Sequence, residues 1–179
     1  MANESTCIDP SVDPAEIEKH RTPVRVQTDG VGLRMGNVSE FTLVAPVRPG
    51  GAKVFHERIK QAQVEANYWE GKLMTVHDLR VALINDGKQI LFAATYSDEF
   101  KPYVEDVIKF ATPWIDHMFL DVAEGYPGLR DPAAIAYIMK YQVQADLWYV
   151  ENNQLSVRDV VRGKRVVSSF NDLLDALQN

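Results

Sequence analysis

From Phe41 onward the chain switches between two hydrophobic rhythms. Phe41-Thr42-Leu43-Val44-Ala45-Pro46-Val47 is apolar at most positions and stops at Pro49-Gly50-Gly51, as a largely buried strand does. From Ala52 to about Trp69 the rhythm changes. Phe55, Ile59, Ala62, Ala66 and Trp69 recur at intervals of four and three, which predicts a helix with one buried stripe and Gly71 as its stop. Leu73 to Ile84 reads as a long strand. Asn85-Asp86-Gly87 supplies residues that tolerate positive φ and predicts a hairpin turn, and Gln89 to Tyr96 is the returning strand.

The plan then repeats. Ser97 or Asp98 can cap a second helix, whose stripe is Val104, Val107, Ile108 and Ala111. Pro113 ends or kinks it and starts a short turn through Trp114 to Met118. Phe119 to Ala123 then reads as a fourth strand, closed by Glu124-Gly125-Tyr126-Pro127-Gly128. The predicted order is strand, helix, strand, strand, helix, strand, an α+β class.

Flanking segments differ in character. Residues 1–40 read as an arm rich in Asp9-Pro10, Asp13-Pro14, Thr22-Pro23, Asp29-Gly30, Gly32 and Gly36, with a short helix from Pro14 to His20 capped by Asp13. Residues 41–128 form the core. Residues 129–179 are a helical extension of the same domain. Asp131-Pro132 opens a helix to about Tyr149, Ser156 caps a short one ending at Gly163, and a last helix carries Val166, Val167, Phe170, Leu173, Leu174 and Leu177.

The βαββαβ order resembles the ferredoxin-like unit of the dimeric α+β barrel superfamily. The resemblance spans about Phe41 to Gly128 and includes Thr75-Val76-His77-Asp78-Leu79-Arg80 and Glu124-Gly125-Tyr126-Pro127. That superfamily holds antibiotic-biosynthesis monooxygenases, small cyclases, dye-decolourising peroxidases and chlorite dismutases. The resemblance implies a homodimer whose sheets form a barrel, and a small-ligand pocket between sheet and helices.

Charge and cysteine content narrow the partners. The formal net charge is −6, and the basic cluster Arg158, Arg162, Lys164 and Arg165 is interleaved with acidic residues, so it reads as a solvated helix face. Nucleic acid is disfavoured as a partner, because no basic stripe displaces counterions and the second strand carries no aromatic platform. Cys7 is the only cysteine, which excludes an intrachain disulfide and a CxxC site. No apolar run approaches the roughly 20 residues of a membrane span, and the first residues lack a signal-peptide pattern, so a cytoplasmic location is expected.

Histidines and tyrosines carry the candidate chemistry. His77 is expected on one strand face with Thr75, Leu79, Val81 and Leu83, as a general base, an iron ligand or a core histidine bonded to a neighbour. Arg80 and Asp78 fall on the opposite face unless a bulge intervenes; Arg80 either orients the ligand or forms an ion pair with Asp78 across a dimer sheet. Tyr96 either orients a substrate oxygen or bonds a carbonyl in the core, while Phe92, Trp114 and Leu79 are expected to line the pocket. The resemblance implies that haem, if bound, would take His117 or His56 as its axial ligand. No HExxH, GxSxG or phosphate-loop pattern is present, and no metal site is expected.

The expected function is that of a small-molecule enzyme acting on a largely apolar metabolite. An oxidoreductase of the monooxygenase or haem-peroxidase kind leads. A cofactor-free cyclase or lyase in the same pocket, and a non-catalytic binding or assembly protein, are the alternatives.

Overall fold

The computed structural model describes residues 13–19, 23–27 and 30–178. In chain order its elements begin with α1 (Pro14–Lys19), β1 (Val24–Val26), β2 (Leu33–Met35), β3 (Val38–Pro46), α2 (Gly51–Leu73) and β4 (Val76–Ile84). They continue with β5 (Gln89–Ser97), α3 (Phe100–Phe110), α4 (Thr112–Phe119), α5 (Ala134–Tyr141), β6 (Gln142–Val143) and α6 (Val157–Gln178). The fold is α+β, and its strands form one antiparallel sheet in the order β1-β2-β3-β5-β4, with β6 also on the edge of β3.

The β3-α2-β4-β5-α3 run follows the expected alternation, and its causes are local. Asn85, Asp86 and Gly87 all take positive φ (50°, 54° and 76°) and turn β4 into β5 in register. Phe41, Leu43 and Ala45 of β3 and Ile90, Phe92, Ala94 and Tyr96 of β5 are buried in the core with α2, α3 and α4. Thr42, Val44, Leu91, Ala93 and Thr95 point the other way and are half-buried. α2 runs past Gly71 to Leu73, because one glycine near a helix end costs only about 1 kcal/mol. Met74, left-handed at φ 52°, ends the helix by donating its N–H to the Glu70 carbonyl.

Phe119–Ala123 is not a fourth strand. Pro113 sits in the first turn of α4, and Trp114, Ile115, Met118 and Phe119 are buried together at helical spacing. Asp121 then turns at φ 65°, so Ala123 makes only an isolated bridge to Val47. The edge of β3 that a fourth strand would occupy is shared by β2 and the two-residue β6.

The sheet also begins earlier than Phe41, since β1, β2 and the first residues of β3 lie within the span read as an arm. Gln27 fastens this hairpin: its Nε2 donates to the Tyr96 hydroxyl at 2.8 Å and its Oε1 accepts the Phe100 N–H at 2.8 Å. Gly32, at φ 71°, has no room for a side chain, because a Cβ there would stand 1.8 Å from the Glu40 carbonyl oxygen. Asp13 caps α1 through the Ala15 N–H, whereas Cys7, Asp9-Pro10 and His20 lie outside the described residues.

Two C-terminal boundaries shift. α5 ends at Tyr141, where the chain enters β6, instead of reaching Tyr149. α6 is continuous through Gly163, and Ser156 caps it reciprocally with Asp159. At the start of α3, Glu99 is the cap residue, but neither it nor Ser97 or Asp98 makes a side-chain cap bond.

Candidate functional site

A cavity of about 220 Å³ opens between α2 and the edge strand β4. Ile59, Ala62, Gln63, Ala66 and Glu70 come from α2, Val76 to Leu79 and Val81 from β4, and Trp114 and Met118 from α4. Trp114 is held by its indole N–H, which donates to the Ala62 carbonyl at 2.9 Å. The walls are mostly apolar and the space is smaller than the roughly 300–1,000 Å³ of ordinary ligand pockets, so it suits a compact molecule.

Glu70 is the chemically distinctive group of this cavity. Both of its carboxylate oxygens are buried without a hydrogen-bond partner. Loss of water around them pushes the carboxyl up to about 7, from an ordinary value of 4.5. The charge reaches a neighbour: the buried Tyr103 hydroxyl is pushed well above its usual range by burial first, and then by Glu70 and Tyr96. A carboxyl balanced near neutrality inside an apolar space can both take and return a proton.

His77 stands at a β-bulge. Val76 pairs with Tyr96 and Asp78 with Thr95, so His77 is an extra residue in β4. The bulge interrupts the strict alternation that groups His77 with Leu79, Val81 and Leu83, yet His77 borders the same cavity as Leu79 and Val81. His77 is exposed at the sheet edge, borders the cavity, and lies 3.0 Å from Ser97 through its Nε2. Ser97 Oγ accepts the Val157 N–H at 3.1 Å, which leaves its own proton available to Nε2. Burial pushes the imidazole below its usual value, so the ring is neutral at pH 7.

The other anticipated residues divide. Leu79 and Trp114 join His77 around the cavity. Arg80 does not: it is exposed and pairs with Asp78 at 2.6 Å. Tyr96 is fully buried away from the cavity, its ring stacked on Tyr103 with centroids 4.0 Å apart. Phe92 packs against Phe41 and Phe119 and borders a separate apolar void of about 50 Å³.

The residues present do not fit a haem. His56 is exposed against the Phe55 ring, His117 Nε2 is buried without a hydrogen-bond partner, and neither residue lines the 220 Å³ cavity or the 50 Å³ void. The cavity that His77 borders, at about 220 Å³, is smaller than ordinary ligand pockets and too small for a macrocycle. Among the described residues no group of three or more His, Cys, Asp or Glu side chains is arranged to hold a metal ion, and no helix is long and apolar enough to cross a membrane.

Glu70 was absent from the residues anticipated from sequence, although its register was available. It lies four residues beyond Ala66, on the side of α2 that carries Ile59 and Ala62. Compared with known proteins, the chain matches no family model, no curated protein and no solved structure.

Proposed function

We propose that this chain is a small-molecule enzyme that moves a proton on a compact, largely apolar metabolite, as a cofactor-free lyase or cyclase does. The observation that carries the reading is Glu70, which lines the cavity and whose two buried carboxylate oxygens have no hydrogen-bond partner. Glu70 as carboxylate takes a proton from carbon next to a substrate carbonyl, leaving an enolate. As carboxylic acid it returns the proton to carbon of the enolate, so the step balances as a proton shift with no net oxidation. Neutral His77 at the rim hydrogen-bonds the polar end of the ligand, and Leu79 and Trp114 hold its apolar body. Burial of the carboxyl keeps Glu70 basic enough to act near pH 7.

Exchange of α-protons for deuterium in small apolar ketones, followed by NMR in D₂O, tests this. The protein accelerates exchange, and Glu70→Gln removes the acceleration while leaving the fold intact. Equal exchange by the two proteins would overturn the assignment of Glu70.

A further inference from the structure

α6 has little support from the body of the molecule along most of its length. Its first residues touch the body, where the Val157 N–H reaches Ser97. From Arg162 to Leu177 every residue is exposed, over about 24 Å of helix. Yet this stretch is strongly apolar along one side. Val160, Gly163, Val167, Phe170, Leu174 and Leu177 follow the alternating spacing of three and four that defines a two-helix seam. Val166 and Leu173 widen the seam on one flank. Phe170 is 58% exposed and Leu177 75%, values that a solvated helix face does not carry in series.

We infer that α6 pairs antiparallel with α6 of a second copy of this chain. Two features select this occupant and this direction. The first is charge. The N-terminal part carries Arg158, Arg162, Lys164 and Arg165 against a single Asp159, and the C-terminal part carries Asp172 and Asp175 with no basic residue. Antiparallel pairing sets the basic part of each helix beside the acidic part of the other, whereas parallel pairing aligns like with like. The second is size. Around a two-fold axis between Ser168 and Ser169, Val160 meets Leu177, Gly163 meets Leu174 and Val167 meets Phe170 of the second copy. Every small residue faces a large one, and Val166 lies across from Leu173 at the flank. A parallel pair would set Gly163 on Gly163 and leave a void. The seam is self-complementary, as a closed two-fold interface requires.

Sedimentation equilibrium of the whole chain tests the association, and cysteine pairing tests its direction. The native chain runs as a dimer, and Phe170→Glu with Leu174→Glu converts it to a monomer with an unchanged near-ultraviolet spectrum of the body. In a Cys7→Ser background, Val160→Cys and Leu177→Cys chains cross-link to each other on mixing under oxidation, and neither cross-links alone. A monomeric native chain overturns the inference, including one that instead binds anionic lipid vesicles. So does a dimer that survives the double substitution, which would place the interface on the half-buried sheet face. Cross-linking of Val160→Cys alone would show parallel helices and overturn the direction. None of these outcomes depends on Glu70 or on the exchange reaction.

Discussion

His77 Nε2 stands 3.0 Å from Ser97 Oγ, a contact that exists because the bulge between Val76 and Asp78 inserts one residue into β4. The imidazole therefore reports on the local geometry of the sheet edge.

Its titration is the first prediction. The folded ring titrates below 6.5, because burial disfavours the imidazolium. The unfolded chain then binds the proton first as pH falls. Stability from this group is present above about 6.5 and is lost as pH drops through the folded value. Imidazole proton shifts followed by NMR, assigned with His77→Gln, check this; a midpoint at or above 6.5 would contradict it.

Glu70 acts on stability in the opposite sense. Its folded value of about 7 lies above its ordinary 4.5, so the folded state holds the proton longer. Stability is full below about 4.5 and falls as pH rises through 7, after which the buried charge is a constant cost. Glu70→Gln removes that cost. With allowance for partial solvent access, the variant should gain about 2 kcal/mol at pH 8 and almost nothing at pH 4. Urea unfolding at both pH values measures the difference.

Tyr96 separates structure from catalysis. Its hydroxyl accepts the Gln27 Nε2–H at 2.8 Å inside the core, and its side chain does not border the cavity. Tyr96→Phe should cost about 1 kcal/mol of stability and leave ketone exchange unchanged. A fall in exchange without a change in stability would return Tyr96 to the site.

Sequence made the local signals legible and left the inserted or very short ones hidden. Asn85-Asp86-Gly87, the α2 stripe, the Asp13 cap and the Ser156 cap each rest on neighbouring residues, and each forms as its chemistry dictates. A bulge adds a residue without changing composition, so alternation counted through His77 gives no sign of it. β6 is two residues long and has no period to detect. Phe119 to Ala123 is as compatible with the end of a helix as with a strand, and Pro113 decided for the helix. Glu70 escaped notice because a charged residue near a helix end reads as solvated. Its register with Ile59, Ala62 and Ala66 was the signal that outweighed its charge.

The most direct measurement is the titration of the Glu70 carboxyl in the native protein. Selective carbon-13 labelling of glutamate, with the resonance assigned by its absence in Glu70→Gln, follows the carbon shift from pH 4 to pH 9. The account predicts a midpoint near 7. A midpoint near the ordinary 4.5 would show a hydrated carboxylate and contradict the role assigned to this cavity.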